Sequence, residues 1–250
     1  MMKNEEKYIE IQNSLRDKLD LTDKIIPDNI KTIAGVDLAY WNNKDNEECA
    51  VCCIVVIDYR THEVIERKSY AGKITCEYIP GFLSFREIPL ILETVKLLEN
   101  EPDIYMFDGN GYLHPRHMGI ASQVSFDIGK PSIGVAKSYY KIEDTNYKEP
   151  GKLRGESTDI VIHDEVYGCV LRTMDNVKPV FVSAGNYISL KTSIDIVLSL
   201  IDKDSHIPVP TREADLETHK KRTECQNTGR MGTCWWNFIF FIIIFLKIFI

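Results

Sequence analysis

The chain has 250 residues, 44% of them hydrophobic and 27% charged, a balance that excludes a disordered or low-complexity protein and suits one large α/β domain. Its formal charge of -7 excludes a broad basic surface as the means of holding nucleic acid, because phosphate contacts come mainly from clustered Lys and Arg. Any nucleic-acid site has to be local, and gathered carboxylates would need a cation to meet a phosphodiester.

In chain order, "EEKYIEIQNSLRDKL" has apolar residues near helical spacing and predicts an opening helix that ends before the Pro27 loop. The runs "TIAGVDLAYW", "CAVCCIVVID" and "EVIERKSYAG" are separated by turn-like segments and predict an antiparallel meander. Phe85 to Asn100 is helical, with Pro89 early enough to be tolerated in the first turn. "DIYMF" reads as a central strand covered on both faces, "MGIASQVSFDIG" as a helix and "PSIGVA" as a second buried strand, which together make a crossover unit. "SYYKIEDTNYKEPGKLRGES" reads as a loop or hairpin, and "YGCVLRT" and "PVFVSAG" as the next strand pair. Ser189 is the expected cap of a helix over "SLKTSIDIVLSLI", and Thr211 that of a last one over "READLETHKKR". Three antiparallel strands, a helix, and then alternating strands and helices predict a single-domain, ribonuclease H-like mixed sheet flanked by helices.

Seven cysteines form only one CxxC, Cys49 to Cys52, with no second pair at zinc-site spacing. Structural zinc is not expected, and Cys52 and Cys53 read as apolar strand residues in a reducing compartment. The charged start "MMKNEEKYIE" lacks the apolar core of a signal peptide, so the expected location is cytoplasm or nucleus.

Asp37 interrupts an apolar strand, where a charge is costly unless it is paired or holds a metal. Asp108 ends a central strand, the place where open α/β sheets put their ligand sites. If these strands are neighbours, two carboxylates face one cleft and require a cation between them. Glu87 opens a helix and can point to the same end, and Asp215 lies one turn into the last helix. Four oxygen donors of this kind suit Mg²⁺ or Mn²⁺ rather than zinc. Each acid alone is equally explained as a solvated or capping group; Asp37 is the hardest to explain that way. Lys137 ends a strand where its ammonium could meet a phosphate, or is simply the first solvated residue. His114 and His117 read either as a base and a phosphate donor or as surface loop residues.

The segments "GVDLAY", "EYIPGFLSFRE", "DGNGYLHPRHMGIAS", "PSIGVAK" and "PTREAD" resemble, in order, the motifs of endonuclease V, a family of inosine-directed endonucleases. The resemblance runs from about Ile33 to His219. It implies Mg²⁺-dependent cleavage at the second phosphodiester bond 3′ to an inosine. It also implies that Asp37, Glu87, Asp108 and Asp215 hold the metal and that Lys137 is the catalytic lysine. Tyr78 matches the aromatic wedge of the "YIP" strip with Ile79 and Pro80. Gly81, Leu83, Gly109, Asn110, Gly111, Leu113, His114 and Gly119 match the strip and loop that wall the base pocket. A glycine-rich backbone there can approach a flipped base and read the O6 and N1–H edge that separates hypoxanthine from adenine.

Glu77 stands where the family often has Pro, Ser138 where a second Lys is common, and "SAGNYISL", with Asn186, replaces a pattern with basic or imidazole groups. Glu77 is expected to loosen the wedge and to add a negative charge near phosphate, and each of the other two changes to remove a phosphate contact, so that affinity weakens, above all for duplex. With Asn110 in the "DGNG" loop, this favours single-stranded RNA and a eukaryotic-type enzyme, with DNA as the alternative and a monomer as the working state. A non-cleaving binder of inosine-containing RNA is the rival reading, disfavoured because a binder has no need of several acids around one phosphate. The catalytic domain is expected over residues 1–222 and an atypical tail over 223–250. "WWNFIFFIIIFLKIFI" is 16 residues long and broken by Lys247, short of the about 20 residues that a membrane span needs. A marginal anchor, a surface-lying segment and a splicing or gene-model product all remain open for it.

Overall fold

The computed structural model describes residues 2–233, so the apolar stretch Trp235–Ile250 lies outside the described residues. Strands β1 (Thr32–Asn42), β2 (Glu48–Asp58) and β3 (Val64–Lys73) form the antiparallel meander expected from their composition. The residues Cys49 to Ile57 of β2 are all fully buried. Helices cover both faces of the sheet there, which is why this strand reads as a continuous apolar run instead of an alternating one.

Helix α1 (Met2–Arg16) precedes the meander and α2 (Ser84–Val95) follows it. Helix α2 starts and stops earlier than expected, so Pro89 falls in its second turn, where it removes the hydrogen bond to the Phe85 carbonyl. Strand β4 (Ile104–Phe107), helix α3 (Ile120–Ile128) and β5 (Ser132–Ala136) form the crossover, and β4 pairs in parallel with both β5 and β1.

The segment expected as a loop or hairpin runs into a further strand, β6 (Ser157–Ile162), whose exposed and buried residues alternate as on a half-covered edge. It pairs with β7 (Glu165–Leu171), which pairs with β8 (Val180–Asn186). Helix α4 (Leu190–Ser199) is capped by Ser189, whose hydroxyl accepts from the Thr192 amide. Helix α5 (Val209–Thr228) starts before and ends after the expected span. Thr211 is therefore not its cap: it lies in the first turn and donates back to the Pro208 carbonyl. The short β9 (Gly232–Thr233) adds to β3, and the sheet order is β6-β7-β8-β5-β4-β1-β2-β3-β9.

Helices α2 and α3 bury one face, against Val36, Cys52, Ile54 and Phe107, while α4 and α5 bury the other, against Ile33, Val55, Ile57 and Met106. The start of α5 lies directly on β1: a Cβ at Gly35 would fall 1.9 Å from the Pro210 carbonyl oxygen. Only glycine permits that approach. Cys49, Cys52, Cys53, Cys76 and Cys169 are free, and no described helix is long and apolar enough to cross a membrane.

Candidate functional site

The parallel pairing of β1 with β4 sets Val36 beside Phe107. The next residue in each is an acid, so Asp37, midway along β1, and Asp108, just past the end of β4, emerge side by side. Helix α5 brings Asp215 to the same place, and oxygen atoms of all three lie within 4.8 Å of one another. Thr218, one turn further along α5, shares its hydroxyl hydrogen between Asp37 Oδ2 at 2.9 Å and the Asp215 carbonyl oxygen at 2.8 Å. Lys137, just past β5, places Nζ 2.6 Å from Asp108 and 3.3 Å from Asp215.

Glu87 stands apart from this group. It is buried on α2, on the opposite face of the sheet from α5, and its Oε1 accepts a 2.6 Å hydrogen bond from the Tyr40 hydroxyl. Burial, and next the negative charge of Asp37, push its carboxyl up to about 7, against the pull of Tyr40. Asp37 is likewise pushed up to about 7, by burial first and then by Asp108, with Asp215 adding to the effect. Burial opposes the charge of Lys137, but Asp108 and Asp215 outweigh it and hold the ammonium above the usual lysine range. Three carboxylates gathered this closely, built only from hard oxygen donors, fit a divalent cation such as Mg²⁺.

Beside the acids lies a cavity of about 130 Å³. The loop after β4 joins the two: Asp108 belongs to the acid group, while the next residues, Gly109 and Asn110, wall the cavity. Tyr78, Gly81, Leu83, His114 and Gly119 line it, together with Ser84, Met118, Ile120 and Tyr140. Tyr78 is 62% exposed, its ring 5.7 Å from the guanidinium of Arg86. Arg86 is itself buried, held by Glu48 at 2.6 Å and by the Cys76 carbonyl at 2.9 Å. The Oδ1 of Asn110 is buried and has no hydrogen-bond partner in the protein.

Other expectations change. Ile79 and Pro80 flank the cavity without lining it. Leu113 is fully buried among Ala136, Ile142 and Phe181 and serves the core. Gly111 packs on the Ala184 carbonyl, where a Cβ would come within 2.3 Å, so its part is to let the loop lie flat on β8. His114 turns its Nε2 to the Gly81 carbonyl oxygen at 3.1 Å. Burial, with Arg116 beside it, drives its pKa down to about 3, and its ring is neutral. His117 stacks 3.9 Å from Tyr112, away from the cavity wall. Asn186 is fully buried opposite Ser132, at the start of β5 and hence the other end of the sheet. Its Oδ1 accepts from the Asp20 amide, so this departure costs no phosphate contact at the site.

Sequence reasoning missed Tyr40, Thr218, Arg86 and Tyr140. Tyr40 and Thr218 carried a signal, since each follows an acid of the cluster at three residues' distance in "DLAY" and "DLET". No local pattern marks Arg86 or Tyr140.

A ribonuclease H-like sheet that gathers carboxylates from two neighbouring strands and a covering helix, beside a lysine, defines a metal-dependent nuclease. Residues 13–216 match the family model described as Endonuclease V. Endonuclease V of Bacillus thuringiensis is 55% identical over 217 residues, 87% of this chain and 92% of that protein. The crystal structure of endonuclease V from Bacillus subtilis is 51% identical with a TM-score of 0.86, covering 89% of this chain and 94% of the other. That of Ciona intestinalis, in complex with a 23mer DNA containing an inosine followed by a ribo-adenosine, is 29% identical with a TM-score of 0.81, covering 90% of this chain and 99% of the other. The chain belongs to the endonuclease V family.

Proposed function

We propose that the protein is an endonuclease that cuts nucleic acid at the second phosphodiester bond 3′ to an inosine, with Mg²⁺ as its cofactor and Mn²⁺ as a substitute. The observation that carries this reading is the continuity of the loop after β4, in which an acid of the cluster and the wall of a base-sized cavity are consecutive residues. An extruded base seated in the cavity would leave its own strand running past the carboxylates. The Ciona relative's complex with inosine-containing DNA supports this choice of base.

Asp37, Asp108 and Asp215 would hold the cation, with Glu87 beside them. The bound ion supplies the positive charge that a phosphodiester requires as it is cleaved. Lys137, now paired with Asp108 and Asp215, would offer its ammonium to a phosphate oxygen of the bound strand. Tyr78 fills the gap that the base leaves, where base–aromatic stacking contributes roughly 1–3 kcal/mol. Asn110 Oδ1 can accept from the N1–H of hypoxanthine, a donor that adenine lacks.

A net charge of -7 favours a single strand, where extrusion costs least, and RNA is the substrate we favour over DNA. Cleavage of matched RNA and DNA oligonucleotides, each with one inosine or one adenosine and with Mg²⁺ or EDTA, tests the reading. Cutting that needs Mg²⁺ and inosine, mapped to the second 3′ bond, is expected. Cutting in EDTA, or equal cutting of the adenosine control, would overturn it.

A further inference from the structure

The base cavity is braced from an element that contributes nothing to its wall. Gln12, on α1, is fully buried. Its Nε2 lies 3.3 Å from the Gly81 carbonyl oxygen, 3.4 Å from that of Met118 and 3.2 Å from Gln123 Oε1. Its Oε1 accepts from Arg116 Nε at 2.5 Å. The amide orientation is fixed by its partners, since Arg116 can only donate and main-chain carbonyls can only accept.

Two further donors converge on Gly81: Arg116 Nη2 at 2.8 Å and His114 Nε2 at 3.1 Å. His114 Nδ1 accepts from the amides of Arg116 and Met118, which leaves the ring hydrogen on Nε2 to face Gly81. On the other side of the same peptide unit, the Phe82 amide donates to Ile79 at 3.0 Å. The peptide between Gly81 and Phe82 is therefore held at both ends. Gly81 has φ of +81°, lines the cavity, and follows Tyr78 by three residues.

We infer that Gln12 is a positioning residue for base recognition: from the N-terminal helix it fixes the Gly81 peptide, and with it the Tyr78 strip, against the loop after β4. This rests on the inosine-directed reading. Gln12 touches neither the acids nor Lys137, so its loss should be felt where the base is bound and not where the phosphate is cut. A buried hydrogen bond to the rim of a binding site carries roughly a tenfold effect on affinity.

Single-turnover cleavage with saturating Mg²⁺, together with melting curves, tests the inference on four proteins. Gln12→Leu should raise the half-saturating inosine substrate concentration about tenfold and leave the maximal rate within about twofold. Gln12→Glu keeps the acceptor for Arg116 but has no donor for Gly81, and should shift in the same direction. Ser14→Gly, at an exposed position of the same helix whose hydroxyl bonds only the Ile11 carbonyl, loosens α1 without touching the strip; it should melt lower and bind substrate as the wild type does. An unshifted half-saturation in Gln12→Glu, a fall in maximal rate alone, or an equal shift in Ser14→Gly would each overturn the role. The wild type is run on inosine and adenosine strands alongside: equal cutting of the two sinks the substrate reading itself, whereas a preference that Gln12→Leu leaves intact sinks only the positioning role.

Discussion

Tyr40 on β1 donates a 2.6 Å hydrogen bond to Glu87 on α2. The acid that stands outside the three-carboxylate group is thereby tied to the strand that carries Asp37. Tyr40→Phe deletes the hydrogen bond that favours ionised Glu87 while keeping the ring in place. Glu87 should then be harder to ionise, and the Mg²⁺ needed for half-maximal cleavage at neutral pH should rise roughly three- to tenfold. The deficit should shrink at higher pH, where the carboxyl ionises unaided. Metal titrations of the cleavage rate at two pH values check this; an equal deficit at both would remove Glu87 ionisation as the cause.

Asp37 makes the metal-free protein pH-sensitive. Its carboxyl rises from the ordinary aspartate value of 3.8 to about 7 on folding. The folded state thus binds more protons between these values, and the stability that this group contributes falls as pH climbs through that window. His114, held down to about 3, pulls the opposite way below its usual value of 6.5. The clean observable is therefore the difference between wild type and Asp37→Asn. In EDTA at pH 8 the variant should be more stable by about 4 kcal/mol, or roughly 12 °C in melting temperature, with the gap narrowing as pH falls towards about 4. Cleavage should be abolished at every pH. A variant that melts below wild type at pH 8 would contradict the strain assigned to Asp37.

Lys137 competes with any cation for Asp108 and Asp215. Lys137→Met should cut at least about a hundredfold more slowly, as expected when a charge acting on a reacting phosphate is removed. It should nevertheless bind Mn²⁺ as tightly as wild type or more so, because the competing charge has gone. Calorimetric Mn²⁺ titration beside single-turnover rates separates these effects. Joint loss of metal affinity and rate would make the lysine a scaffold for the acids.

Tyr78 is too exposed to matter much for folding. Tyr78→Ala should melt within about 1 °C of wild type, in keeping with surface substitutions. It should bind inosine substrates roughly ten- to a hundredfold more weakly, and duplex most of all. A variant that is destabilised and equally weak on every substrate would place the ring in the packing of α2 instead.

Much of this architecture was legible because its signals are local. An acid inside the apolar run of β1 and another at the end of β4 could be found by inspection, and the parallel pairing then made them neighbours. The motif resemblance located Glu87, but not that Tyr40 intercepts it on the other face of the sheet. That depends on how α2 packs, which no short pattern encodes. Strand β6 was missed because "STDIVI" mixes polar and apolar residues as an edge strand does, after a long charged loop. The charge near Asn186 was misjudged for a different reason: motif order shows that a segment belongs to the fold, not which end of the sheet it occupies. His114 looked chemically capable in isolation, and only burial under Gly81 and Arg116 shows why it stays neutral.

The bond between Asp37 and Thr218 joins positions 181 residues apart. On the ribosome the carboxylate of β1 therefore appears long before the helix that completes its surroundings. At translation rates of roughly 5–20 residues per second, that interval is on the order of ten seconds or more. A nascent chain in this window carries an acid with no partner on α5, and a carboxylate group that is still incomplete. The centre therefore closes only when the last long helix docks, so the order in which it is made delays its assembly without a separate inhibitor.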